Sequence, residues 1–314
     1  MKQETEPSAF HVRSSQAVIS AGYKLYMSNF RKILRSSWIA ALAYALCTGL
    51  LGSFAMSQVP QFTMAILGAS EAGAQAMSMT FVLKIFLIIL LFAAATAVLL
   101  SYGYAACSEH AQTGAITTAA RWYGRIDKAM VWRTVKGTLW MMLFIFIAGM
   151  LTGICQALLG RVLSPLTAMA ASLLLMLFIA VLLLPLPYAL TKYMLTPKAH
   201  FLKAVGPAFA TGLRHLGSVF VVALVVAIIT MLLSLVVQMP ANILYVANMQ
   251  SQLGTLQGDP AGMPERLGLL NFVVFTIMGF IQGYIHLSTI FPYYYLYGSI
   301  EKQEEEKKQL KIED

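Results

Sequence analysis

Gln282 and His286 are the side chains whose type and spacing first suggest chemistry. They stand four residues apart in the apolar stretch Leu269–Phe291, with Tyr284 close by, and so share one face of a helix. Polar and ionisable groups inside apolar spans are costly and mark solute or proton pathways by default. An imidazole and an amide in register form a donor–acceptor strip that could line an internal path, and they equally suit a hydrogen bond between helices. Lys84, near the end of another apolar stretch, has a stem long enough to carry its ammonium to the headgroup layer. Two glycine pairs, Gly149/Gly153 and Gly279/Gly283, are spaced GxxxG, which lets another helix approach closely. If Gly283 lines such a contact, His286 lies one turn further along the same face and is turned to protein, away from lipid.

Chemistry of the soluble kind finds no footing. There is no Walker loop and no Gly-x-Gly-x-x-Gly cradle. His11, His110, His200 and His215 lack zinc-ligand spacing. Glu109 and His110 are adjacent, so on a helix they point in different directions. Glu71, Asp259 and Glu265 are too scattered for a paired acid–base site. Cys47, Cys107 and Cys155 match neither a disulfide framework nor a metal site and suit small apolar fillers. Met64, Met77, Met79, Met239, Met249 and Met263 offer thioethers but no tight copper-binding cluster. No catalytic residue, metal or cofactor is expected.

The elements that must position these residues follow from composition. Of 314 residues, 59% are hydrophobic and 11% charged, with a mean hydropathy of +0.72. A soluble domain is about 25% charged, so this chain cannot coat a water-exposed surface of its size. Six stretches are long enough for a bilayer core, which needs about 20 apolar helical residues: Trp38–Met56, Thr80–Leu100, Thr138–Gly160, Ala168–Leu190, Leu216–Gln238 and Leu269–Phe291. None alternates with period two, as a membrane β-barrel would. The expected fold is all-α and polytopic: an N-terminal arm (1–37), a six-helix membrane domain (38–298) and a charged tail (299–314). The tail suits a solvated helix extension or a disordered end. The connections 57–79 and 239–268 exceed a minimal turn, and Ala241–Leu253 is expected as a short helix along the membrane.

The basic residues have a side. With six crossings, Lys84, Arg161 and Arg266 fall on one side and the other 19 of 22 Lys and Arg on the side of the termini. The positive-inside rule then sets both termini in the cytoplasm of a bacterial-type inner membrane. About 37 mostly polar or amphipathic residues precede the first span, which predicts an uncleaved insertion signal in place of a cleavable peptide.

Cytoplasmic segments also repeat a plan. Ile19, Tyr23, Tyr26, Phe30 and Ile33 recur every three or four residues, with Lys24, Arg31 and Arg35 on another face. Thr117–Gly137 is similar, with Arg121, Arg125 and Lys128 beside Trp122, Ile126 and Met130; Ala199–His215 is a third, interrupted by Pro207 and Gly212. Such helices lie in the headgroup layer with cations near anionic phosphates. Phe30-Arg31, Trp132-Arg133 and Leu213-Arg214 each stand eight residues before Trp38, Trp140 and Val221. Even-numbered spans finish alike, at Tyr102-Gly103-Tyr104, Leu186-Pro187-Tyr188 and Phe291-Pro292-Tyr293. The pattern reads as three copies of interfacial helix plus transmembrane hairpin; the alternative is that any such membrane border attracts Trp, Tyr, Lys and Arg.

The run Ala-Gly-Tyr-Lys-Leu-Tyr-Met-Ser-Asn-Phe-Arg-Lys (Ala21–Lys32) leading into a Trp-led span looks like bacterial multi-pass membrane families. In its helix-then-hairpin layout it most resembles the membrane domain of glycerophosphoryl diester phosphodiesterases. Those enzymes carry catalysis in a separate soluble domain with His and acidic metal ligands, which has no counterpart here, so the resemblance implies an architecture and no catalytic residue. The expected function is a non-catalytic lipid-interacting or scaffolding membrane protein. Its expected partners are anionic headgroups and another membrane protein, not nucleic acid, because the cations lie in separate stretches. A transporter of small solutes or lipid using Gln282 and His286 is the alternative. A headgroup enzyme using His110, His200 or His215 is a third. A deep polar cavity favours transport, a tight flat-faced bundle favours scaffolding, and a border cleft gathering His and carboxylates favours the enzyme.

Overall fold

The computed structural model describes residues 10–66, 79–117, 128–162, 164–196, 200–256 and 266–313. Among these the chain is helical without a strand: α1 (Ser15–Ser28), α2 (Phe30–Ile66), α3 (Met79–Thr113), α4 (Lys128–Val162), α5 (Pro165–Leu183), α6 (Leu186–Leu195), α7 (Phe201–Arg214), α8 (Leu216–Leu256) and α9 (Leu267–Glu313). Six apolar crossings are present, as the hydropathy predicts. Helices suit that solvent because every backbone donor and acceptor is satisfied within the segment.

Local chemistry sets the breaks. Ser14 caps α1 by accepting from the Ala17 N–H at 3.4 Å, and Asn29 ends it, its amide donating back to the Leu25 carbonyl at 3.1 Å. Ser164 caps α5, with Pro165 in the first turn, where its missing N–H is not needed. The fourth crossing, expected unbroken over Ala168–Leu190, is divided at Leu184-Pro185 into α5 and α6. Pro185 has no N–H to donate, and its ring crowds the preceding turn. Two other expectations are corrected. Ala241–Leu253 is not a separate helix lying along the membrane; it continues α8 through Pro240, since one proline removes one ladder bond and the helix resumes. The interruption foreseen at Pro207 and Gly212 is absent, and α7 runs through both. The charged tail extends α9, which at 47 residues is about 70 Å long and protrudes well past a bilayer.

α9 is the axis of the bundle and packs against α1, α2, α3, α6 and α8. The segment before α1 packs on its C-terminal half, where the Arg13 N–H donates to Ser299 Oγ at 3.0 Å. The densest packing lies toward this terminal end, around Tyr188, Tyr193, Leu287, Phe291, Tyr294, Tyr295, Leu296 and Ile300. Tyr26 and Trp140 fold inward, Tyr26 packing on Phe291 and Trp140 stacking on Phe201 at 5.3 Å, while Trp38 and Trp132 are exposed as a membrane border favours. In contrast α5 packs mainly on α4, and its outer surface is Leu, Met and Phe.

The short helices differ from the expected interfacial arrangement. The buried face of α1 is Val18, Gly22, Leu25 and Tyr26, and it seats on α9, with Gly22 against the Pro292 backbone. Tyr26 Oη donates to the Tyr284 carbonyl at 2.9 Å. α7 repeats the device, with Gly212 against Pro185 and Tyr188. The apolar stripes that suggested lipid contact are thus partly covered by protein. α1 and α7 thus share a glycine pressed on a proline of an even-numbered crossing; of the second expected segment, residues 118–127 lie outside the described residues.

Candidate intramembrane binding site

Gln282 lies near the middle of the sixth crossing, on the face of α9 that meets α2 and α8. Its Nε2 donates to Ser234 Oγ of α8 at 2.8 Å and lies 3.3 Å from His286 Nε2. Accepting at Nε2 leaves the imidazole proton on Nδ1, a neutral ring. The ring stands edge-on to Tyr44 of α2, centroids 6.3 Å apart. Gln282 and His286 therefore form the strip their spacing predicts, and it also ties α9 to α8. Gln282 Oε1 is buried and has no hydrogen-bond partner among the described residues.

The glycine pairs part company. A Cβ on Gly279 would meet Thr48 Cβ at 2.6 Å, and one on Gly283 would meet Leu99 Cδ2 at 3.0 Å and Tyr44 Cδ1 at 3.2 Å. This pair lets α2 and α3 approach α9, and His286 is turned to protein as the register implies. Gly149 and Gly153 of α4 have nothing within 4 Å among the described residues, so within the chain they line no contact.

Beside this contact α2, α8 and α9 leave a cavity of about 360 Å³. Its inner wall holds Thr48, Met56, Ala241, Met278, Gly279 and Gln282; Gln238, Asn242 and Tyr245 stand exposed at the mouth. The polar groups are amides and hydroxyls, and among the described residues no lining residue is charged. Thr48 Oγ1 donates to the Tyr44 carbonyl at 2.9 Å. Toward the terminal end the way is closed by Tyr44, Leu99, Tyr284, Leu287 and Phe291, all buried. Apolar walls with a few hydrogen-bonding groups at mid-membrane suit the polar part of an amphiphile. Sequence reading found Gln282 but missed Thr48, Ser234 and Asn242, because single Ser, Thr and Asn residues are common in membrane helices and only the fold brings these three helices together.

The basic end carries two kinds of cation. Lys24, Arg31, Arg35 and Lys128 are exposed, available to headgroups; Arg121 and Arg125 lie outside the described residues. Others tie the fold. Lys32 donates to the Ile116 carbonyl at 2.7 Å, and Arg133 to the carbonyls of Tyr193 and Thr196. Lys192 pairs with Glu301 at 2.6 Å, and the same carboxylate accepts from Tyr188 Oη at 2.8 Å. The border histidines are held separately: His110 by Tyr294 at 2.9 Å and His215 by Glu304 at 2.8 Å, while His200 is exposed at the start of α7. Among the described residues no three His, Cys, Asp or Glu stand together as a metal site.

Fold and crossings define an all-α polytopic membrane protein. No family model matches the chain, and neither a curated protein nor a solved structure does.

Proposed function

We propose that this is a lipid-binding protein of a bacterial-type cytoplasmic membrane, non-catalytic, with both termini in the cytoplasm. The observation that carries the reading is the uncharged, mostly apolar cavity between α2, α8 and α9, opening past Gln238, Asn242 and Tyr245. Such a cavity accepts part of a lipid that enters sideways, its chains remaining in the bilayer. The exposed cations at the opposite end suit a second contact, with anionic headgroups, worth about 1 kcal/mol each near a charged leaflet. The layout shared with the membrane domain of glycerophosphoryl diester phosphodiesterases is in keeping with work in the lipid phase.

The test is lipid analysis of the protein after gentle detergent extraction, wild type beside Ala241→Phe, which fills the inner wall. Wild type is expected to retain a lipid that the variant loses; equal lipid content in both overturns the reading. A reporter fused at Asp259 is expected to be extracytoplasmic, and a cytoplasmic one overturns the orientation.

One observation favours transport as a second reading: the Ser234–Gln282–His286 strip continues from the cavity toward the terminal end. The buried Tyr44–Leu287–Phe291 packing closes that route, so transport requires a second conformation. Flux across proteoliposomes that His286→Leu abolishes would establish it.

A further inference from the structure

We infer that the cavity selects an uncharged lipid that donates a hydrogen bond, a hydroxyl-headed lipid such as a diacylglycerol or a long-chain alcohol. The inference rests on the lipid-binding reading and adds the chemical class.

Charge comes first. Among the described residues the lining holds no Lys, Arg, Asp, Glu or His, and 19 of the 22 basic residues belong to the side of the termini. A phosphate seated here would be an ion without a partner in a medium of low dielectric, which costs several kcal/mol. Anionic lipid therefore belongs with Lys24, Arg31 and Arg35 and is turned away from the cavity.

Hydrogen-bond polarity comes second. Gln282 Oε1 is a buried acceptor with no donor among the described residues. Thr48 has already given its proton to the Tyr44 carbonyl, so toward a ligand its oxygen can only accept. Two side-chain acceptors on lining residues call for a proton donor. At the mouth, the amides of Gln238 and Asn242 carry N–H groups suited to ester carbonyls, beside their acceptor oxygens. A hydroxyl inward and an ester outward is the order of groups along a diacylglycerol; a fatty alcohol satisfies the inner half alone.

Size agrees. The cavity measures about 360 Å³. That is room for a glycerol backbone with its ester groups, but not for two acyl chains, which must stay in the bilayer.

The test is photocrosslinking of the full chain in phosphatidylcholine nanodiscs doped with a diazirine-bearing diacylglycerol, the labelled peptides being identified by mass spectrometry. Label is expected on peptides bearing Ala241 and Met278, competed by unlabelled dioleoylglycerol at least tenfold better than by dioleoyl phosphatidylglycerol. Oleyl alcohol competing as well as dioleoylglycerol identifies the hydroxyl as sufficient; dioleoylglycerol alone competing identifies the glycerol ester as required. Gln282→Leu is expected to lower cavity labelling about tenfold. Ala241→Phe should remove it, and so should Asn242→Phe at the exposed mouth, where no packing is disturbed. Phosphatidylglycerol competing equally, or Gln282→Leu labelling like wild type, overturns the ligand class and leaves the cavity as a lipid site. Label absent from these peptides, or undiminished in Asn242→Phe, overturns the cavity reading itself.

Discussion

Replacing Gly22 by Ala puts a methyl group where α1 rests on the backbone of α9. The new Cβ would stand 2.5 Å from the Pro292 nitrogen, 2.6 Å from its Cα and 2.8 Å from the Phe291 carbonyl carbon. Carbon atoms prefer about 3.5–4.0 Å. All three opposing atoms are backbone of a long helix, so no rotamer change relieves the clash, and α1 must lift by roughly 1 Å. That loosens Val18, Leu25 and Tyr26 together. Overpacking costs about 1–3 kcal/mol, here toward the upper end, and the better helix propensity of Ala returns up to about 1 kcal/mol. A net loss of about 2 kcal/mol, at 1.4 kcal/mol per tenfold, raises the opened population roughly thirtyfold. Cys107 reports it, being fully buried in the same core. In a background with Cys47 and Cys155 replaced by Ala, maleimide labelling of Cys107 in mild detergent should quicken about thirtyfold while reclosing outpaces labelling. Gly149→Ala is the control: with nothing within 4 Å, it should label within about twofold of the parent. A Gly22→Ala rate equal to the parent's, or a Gly149→Ala rate equal to that of Gly22→Ala, refutes the packing argument.

Tyr26→Phe removes a buried donor from the Tyr284 carbonyl, which α9 still serves. The loss is about 1 kcal/mol, read as a roughly fivefold rise in the same thiol assay. Glu301→Gln breaks the Lys192 pair and weakens the Tyr188 hydrogen bond. Hydrogen exchange at Gln303–Leu310 should then quicken severalfold, with high salt narrowing the difference between variant and wild type. Neutralising Lys24, Arg31 and Arg35 together to Gln should reduce phosphatidylglycerol adducts in native mass spectra while leaving the fold intact, because all three side chains are exposed. Unchanged adducts would remove these residues from the lipid contact.

What could be read from sequence was periodic or compositional. The six crossings follow from apolar length, and the Gly279/Gly283 face from four-residue spacing. The face of α1 is legible only in part. Tyr26 and Ile33 of the predicted stripe are buried and Ile19 packs at the edge of the core, but Val18, Gly22 and Leu25 complete the buried face, and glycine carries no hydropathy yet permits the closest approach. Pro185 and Pro187 were visible only as part of a span end, and their place as a break inside the fourth crossing depends on α6 finding protein partners. Thr48, Ser234 and Gln282 lie on separate helices, so the cavity wall and its orphaned acceptor exist only after α2, α8 and α9 assemble. GxxxG spacing alone could not tell Gly279 from Gly149, since the difference lies in the neighbour.

The continuity of α9 has a mechanical consequence. Gln282 at the cavity wall and Glu301 in the ion pair with Lys192 are carried by one helix, about 28 Å apart at 1.5 Å per residue. A rod transmits rotation as well as translation, so a turn at the wall is felt at the carboxylate unless a joint between them absorbs it. Pro292 is the weak point of that shaft, having no N–H to give its preceding turn, and Gly22 of α1 bears on that residue. The N-terminal helix is thus a bearing on the shaft: held tight, it makes the two ends of α9 move as one, and lifted, it lets them turn independently.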